Sequence, residues 1–121
     1  MTLRRWLPTV VWGIVILISS SLSMPHVSAP AGTDKGVHVV LYLVLGYLSA
    51  RALLLGRNPR VWQLLVLVLA VFVFGALDEW HQRWIPTRTV DPADWVADAA
   101  GSLAGIATAI VVTRRRGRRA A

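Results

Sequence analysis

The chain reads as an all-α, polytopic membrane protein, a single domain over residues 1–121 with four transmembrane helices and both termini in the cytoplasm. Three observations predict this. Hydrophobic residues fill 55% of the positions and charged residues only 16%, the wrong balance for a soluble protein of this size. The excess lies in four apolar runs, about residues 6–22, 37–55, 61–77 and 96–112, each near the roughly 17–25 residues that cross a bilayer core. A soluble bundle needs polar outer faces, yet residues 61–77 offer only Gln63. Finally, the basic residues collect at the flanks: Arg4 and Arg5, Arg57 and Arg60, and Arg114, Arg115, Arg116, Arg118 and Arg119. The positive-inside rule assigns those flanks to the cytoplasm.

That placement also disposes of nucleic acid as the partner of a chain with net charge +7. The arginine-rich tail, residues 113–121, reads as a topology anchor against anionic lipid. The bilayer itself is the first partner. With no cysteine, disulfides, thiolate nucleophiles and sulfur-based metal sites drop out.

The first helix, about 6–22, has Pro8 in its opening turn, where a missing N–H costs little, and closes on Ser19-Ser20-Ser21. His26-Val27-Ser28-Ala29 resembles a small-residue cleavage site, but Pro30 follows directly and three spans come after, so the helix is expected to be retained. Residues 23–33 form a loop with two prolines and a glycine, free of Lys and Arg, as befits the outer side. Thr33 or Asp34 is the expected cap of the second helix, 35–55, and Gly56 its stop. At about 100° per residue, Lys35, His38 and Tyr42 fall near 0°, −60° and −20°, a narrow stripe. Gly46 and Ser49 continue it inward.

Residues 57–60 form a tight basic turn. The third helix, 61–84, is uncharged until Asp78, where Asp78, Glu79 and Gln82 share one arc as i,i+3 and i,i+4 neighbours. Pro86 ends it, and Arg88 lies in the loop beyond. Asp91-Pro92 reads as an N-cap followed by proline at the first helical position. On the fourth helix, 92–112, Asp91, Asp94 and Asp98 form a second narrow stripe, continued by Gly101, Ser102 and Gly105. Gly101-x-x-x-Gly105 is a small-xxx-small element for close helix approach, within the chain, with a membrane protein partner or in self-association. Trp80, Trp84 and Trp95 suit an interfacial aromatic belt.

With this topology all six acids, Asp34, Asp78, Glu79, Asp91, Asp94 and Asp98, share the outer membrane level with Lys35, His38, His81, Arg83 and Arg88. Ionisable groups at such a depth are costly and mark a functional site by default. Asp34 and Asp91 have an ordinary explanation as caps. Asp98, two turns into its helix, does not, and Asp78 and Glu79 stand at a helix C-terminus that disfavours negative charge.

Asp34-Lys35-x-x-His38-x-x-x-Tyr42, Asp78-Glu79-x-x-Gln82, Pro86-x-Arg88 and Asp94-x-x-x-Asp98-x-x-Gly101-x-x-x-Gly105 together resemble the VanZ-like family of small bacterial membrane proteins. The likeness runs from about residue 19 to 105. It implies a multi-pass protein of the bacterial cytoplasmic (inner) membrane acting in the cell envelope, since the family takes its name from a determinant of glycopeptide (teicoplanin) resistance. The family usually carries Asn where this chain has Asp98.

The leading expectation is an outward-facing acidic pocket that recognises an anionic or lipid-linked envelope component. Its binding set is Lys35, His38, Tyr42, Asp78, Glu79, Gln82, Arg88, Asp94 and Asp98, with Lys35 and Arg88 meeting phosphate or carboxylate. An alternative is a membrane hydrolase or transferase using Glu79 and His38 as acid and base on a lipid-linked substrate. A third is a structural or partner subunit in which the charges, for example Lys35 with Glu79, lock helices together. His38, Glu79 and one or two aspartates can form an oxygen-rich site with one imidazole. Their spacing matches no established ligand signature, however, so no metal or cofactor is assigned.

Overall fold

A computed structural model describes residues 2–22, 32–55, 58–86 and 88–120. Among them are four helices and no strand: α1 (Thr2–Ser21), α2 (Thr33–Leu54), α3 (Val61–Gln82) and α4 (Pro92–Ala120). They are 20, 22, 22 and 29 residues long. At about 1.5 Å per residue each reaches across a core of about 30 Å. All four are long and apolar enough to cross a membrane. The suggested cleavage motif at 26–29, Gly56 and Arg57 lie outside the described residues.

Helix ends differ from expectation where local chemistry permits. α1 starts at Thr2, which puts Pro8 inside the helix, where its ring removes one backbone N–H from the ladder. α2 is entered through Gly32 at φ 88°, with no side-chain cap, so neither Thr33 nor Asp34 is the N-cap. A left-handed φ is what glycine accepts without strain. Gln63, the lone polar residue of its run, accepts a hydrogen bond from the Arg60 amide at 2.8 Å and so secures the start of α3. α3 ends at Gln82, two residues early, unwinding through a turn ahead of Pro86. α4 opens as expected: the Ala93 amide donates to the Asp91 carboxylate at 2.9 Å, with Pro92 first in the helix. It then runs on through the arginines to Ala120, because residues 113–119 are good helix formers interrupted only by Gly117.

α1 and α3 run toward the acid-rich end, α2 and α4 away from it. The parallel pair α2 and α4 forms the closest seam, built from the two predicted stripes. A Cβ added at Gly105 would stand 2.7 Å from the Tyr47 amide nitrogen, and one at Gly46 would stand 2.9 Å from Ser102 Cα. At Gly101 it would meet the Val39 carbonyl carbon at 3.0 Å. At Gly101 and Gly105, α4 is therefore packed against α2 of the same chain.

α1 and α3 flank this pair and turn Leu7, Val10, Val11, Ile14, Leu65, Val66 and Leu69 outward. That suits lipid, where outward apolar side chains cost nothing. Trp12 braces α1 by donating its indole N–H to the Leu41 carbonyl at 2.8 Å. Trp95, expected only in an aromatic belt, also donates to the Phe72 carbonyl at 3.1 Å and ties α4 to α3. At the opposite end the Arg5 guanidinium donates to the Leu55 carbonyl.

Candidate functional site

The stripes predicted on α2, α3 and α4 meet at one end of the bundle. His38, Tyr42, Asp78, Glu79, Gln82, Asp94 and Asp98 are all buried there. Seven polar side chains, four of them carboxylic acids, thus leave solvent together. Burial of that kind requires partners.

Asp78 receives two hydroxyl donors, Ser20 Oγ at 2.5 Å on Oδ1 and Tyr42 OH at 3.3 Å on Oδ2. It thereby joins α1, α2 and α3. Ser20 is a site residue that the sequence reading did not single out. Its signal was present in the Ser19-Ser20-Ser21 run at the end of an apolar helix. All three serines lie within reach of carbonyls of their own helix, Ser20 of Leu17 at 3.1 Å, but only Ser20 is buried and also reaches Asp78. Beside Asp78, His38 Nδ1 lies 2.8 Å from Asp98 Oδ1 and 4.0 Å from Glu79 Oε1. Gln82 donates to Glu79 Oε1 at 3.3 Å. Glu79 Oε2 and Asp98 Oδ2 are buried without a hydrogen-bond partner.

Lys35 and Arg88 lie apart from the inner acids in their contacts. Lys35 stands at the rim, bridging Asp91 at 2.7 Å and Asp94 at 3.0 Å, so its partners are on α4 and Glu79 is not among them. Arg88 reaches no carboxylate among the described residues; its guanidinium donates to the Ser19 carbonyl at 3.3 Å. Of the inner acids, Glu79 and Asp98 have His38 within 4.0 Å.

Asp91 sits just outside the spans. The Lys35 ammonium and the Ala93 amide hold its carboxyl below the ordinary aspartate value. A lowered folded-state pKa stabilises the fold above the unfolded value, about 3.9, and that contribution fades as pH falls through the lowered one. The difference in melting midpoint between wild type and Asp91→Asn should therefore be small but measurable at neutral pH and vanish in acid. A difference that grows in acid would contradict the geometry.

A second feature adjoins the polar cluster. An apolar cavity of about 380 Å³ opens between α1, α2 and α3, lined among others by Trp6, Gly13, Leu17, Leu45, Val71 and Phe74. Leu17 precedes Ser20 by one turn and Phe74 precedes Asp78 by one turn, so the cavity ends just beneath the Ser20–Asp78 bond.

Four membrane-length helices enclosing an acid-rich cluster at one end define a multi-pass membrane protein with a buried polar site. The family model for VanZ/LLP1 matches residues 5–113, nearly the whole chain, and the protein belongs to that family. Neither a curated protein nor a solved structure gives a match.

Proposed function

We propose that the protein binds a lipid-linked component of the bacterial cell envelope from within the cytoplasmic membrane. The chain would occupy the apolar cavity and the headgroup would lie at the polar end, as befits a family named for glycopeptide resistance. The observation that carries this reading is the adjacency of the cavity to the polar cluster, whose Ser20 and Asp78 lie one turn beyond lining residues of α1 and α3. An amphiphile needs that succession of surfaces. Arg88 spends no bond on a carboxylate among the described residues, which leaves its guanidinium suited to a headgroup phosphate. The positive-inside rule supports an outward-facing site with both termini in the cytoplasm.

The test fills the cavity without touching the cluster. A Cβ at Gly13 meets only Phe74, at 3.7 Å, so Gly13→Phe places its ring in the cavity. By native mass spectrometry, a long-chain polyprenyl phosphate should bind the purified wild type and bind Gly13→Phe about tenfold more weakly, a loss near 1.4 kcal/mol. Equal binding by both, or none by the wild type, sinks the reading.

One observation favours a second reading. The 2.8 Å contact of His38 with Asp98, with Glu79 at 4.0 Å from the same nitrogen, is an arrangement from which a proton can be passed. It supports a hydrolase or transferase on the same lipid-linked class of substrate, for which Glu79→Gln should keep binding and lose turnover.

A further inference from the structure

The inner cluster has a property that neither lipid recognition nor helix packing explains. His38 from α2, Glu79 from α3 and Asp98 from α4 each offer a ligand atom, and these atoms all lie within 4.8 Å of one another. Glu79 and Asp98 are 5% and 1% exposed, and each keeps one buried carboxylate oxygen with no hydrogen-bond partner. Among the described residues Glu79 accepts one hydrogen bond, from the Gln82 amide at 3.3 Å, with His38 Nδ1 4.0 Å away. Lys35 is taken up by Asp91 and Asp94, and Arg88 bonds to a carbonyl. Carboxylates buried at membrane depth are costly unless positive charge compensates them, and a bound cation would supply it.

We propose that His38, Glu79 and Asp98 form a binding site for one divalent transition-metal ion of the Mn²⁺ or Zn²⁺ type. Two carboxylates with one imidazole suit such ions better than Ca²⁺ or Mg²⁺, which favour all-oxygen shells. Ligands about 2.1 Å from a shared ion stand at most about 4.2 Å apart, so the side chains close by a few tenths of an ångström. Three helices each supply one ligand, and the ion joins them where charge repulsion would otherwise part them. A second group, Asp34, His38 and Asp94, also brings ligand atoms within 4.8 Å. There the Lys35 ammonium already sits 3.0 Å from Asp94, and Asp34 is exposed, so the buried set is the better host. The site needs no lipid ligand, and its failure would leave the cavity reading standing.

The test uses the full-length protein in detergent, stripped with chelator, desalted and offered Mn²⁺ or Zn²⁺ alone. Elemental analysis should return about one ion per chain after desalting, as a closed protein site retains its metal. Glu79→Gln and Asp98→Asn should lose it, while Asp34→Asn keeps it. Should the buried variants fail to fold, the wild type still decides. Bound Mn²⁺ should show ¹⁴N coupling to one imidazole by pulsed electron paramagnetic resonance. That coupling should persist in the double variant His26→Gln/His81→Gln, which leaves His38 as the only histidine. No retained ion, an ion without imidazole coupling, or loss through Asp34→Asn but not Glu79→Gln overturns the proposal.

Discussion

Gly105→Val is expected to unfold or mispack the bundle. A Cβ at Gly105 already stands 2.7 Å from the Tyr47 amide nitrogen, which is backbone and cannot rotate away. Relief requires α2 and α4 to separate along the seam that Gly46, Gly101 and Gly105 share. Overpacking in well-packed cores costs about 1–3 kcal/mol and occasionally more. The rigid obstacle puts this substitution at or above about 3 kcal/mol on that scale. The same change at Gly117, where nothing lies within 4 Å, should leave the melting midpoint nearly unmoved. Thermal melts of the two variants in one detergent decide it, and comparable midpoints would show that the seam does not hold the fold.

Asp78→Ala should come next in severity. It removes the acceptor shared by Ser20 and Tyr42. Ser20 keeps the Leu17 carbonyl at 3.1 Å, while the buried Tyr42 hydroxyl loses its acceptor, which costs about 1–3 kcal/mol. Some of that loss is recovered because helices dispersed in a membrane also find partners, so about 2 kcal/mol in total is the expected scale. Because the two hydroxyls come from α1 and α2, the damage should include loosening of α1, the helix with the fewest buried side chains. Ser20→Ala combined with Asp78→Ala should be less destabilising than the sum of the two single changes. Strict additivity would mean that the Ser20–Asp78 hydrogen bond contributes nothing. Melting midpoints of the three variants measure this.

The outer acids ask for less. Lys35, Asp91 and the rim of α4 form an exposed network that salt should screen. Its removal leaves the inner cluster in place. Asp91 closes the start of α4, Asp94 links the rim to the interior, and Asp78, Glu79 and Asp98 are enclosed within the bundle.

Much of this was legible without coordinates because it depends on neighbours along the chain. Spans follow from runs of apolar residues. The cap at Asp91 follows from Asp-Pro, and the buried stripes of α2 and α4 follow from helical period. The VanZ-like resemblance is read from motifs along the chain, and the family model's match over residues 5–113 shows the membership. Which side chain meets which across helices was not legible. Periodicity puts a residue on a face but leaves the axial height and rotation of that face against a neighbour undetermined. The helix lock offered as an alternative therefore took Lys35–Glu79 as its example, whereas Lys35 meets Asp91 and Asp94, and the Ser19 carbonyl as the acceptor for Arg88 could not be foreseen.

Ser20 was passed over for the same reason: three successive serines look alike until packing turns one toward Asp78. The glycines of α4 were recognised as a close-packing face, yet only the observed seam shows that α2 of the same chain occupies it. His38, Glu79 and one or two aspartates could be named from the sequence as a donor set, but only the packing of three helices shows that Asp98 is the aspartate that joins the other two. Hydrophobic period is a one-dimensional property and survives in the sequence. Relative helix register is set by backbone contact at Gly46, Gly101 and Gly105 and exists only once those helices touch.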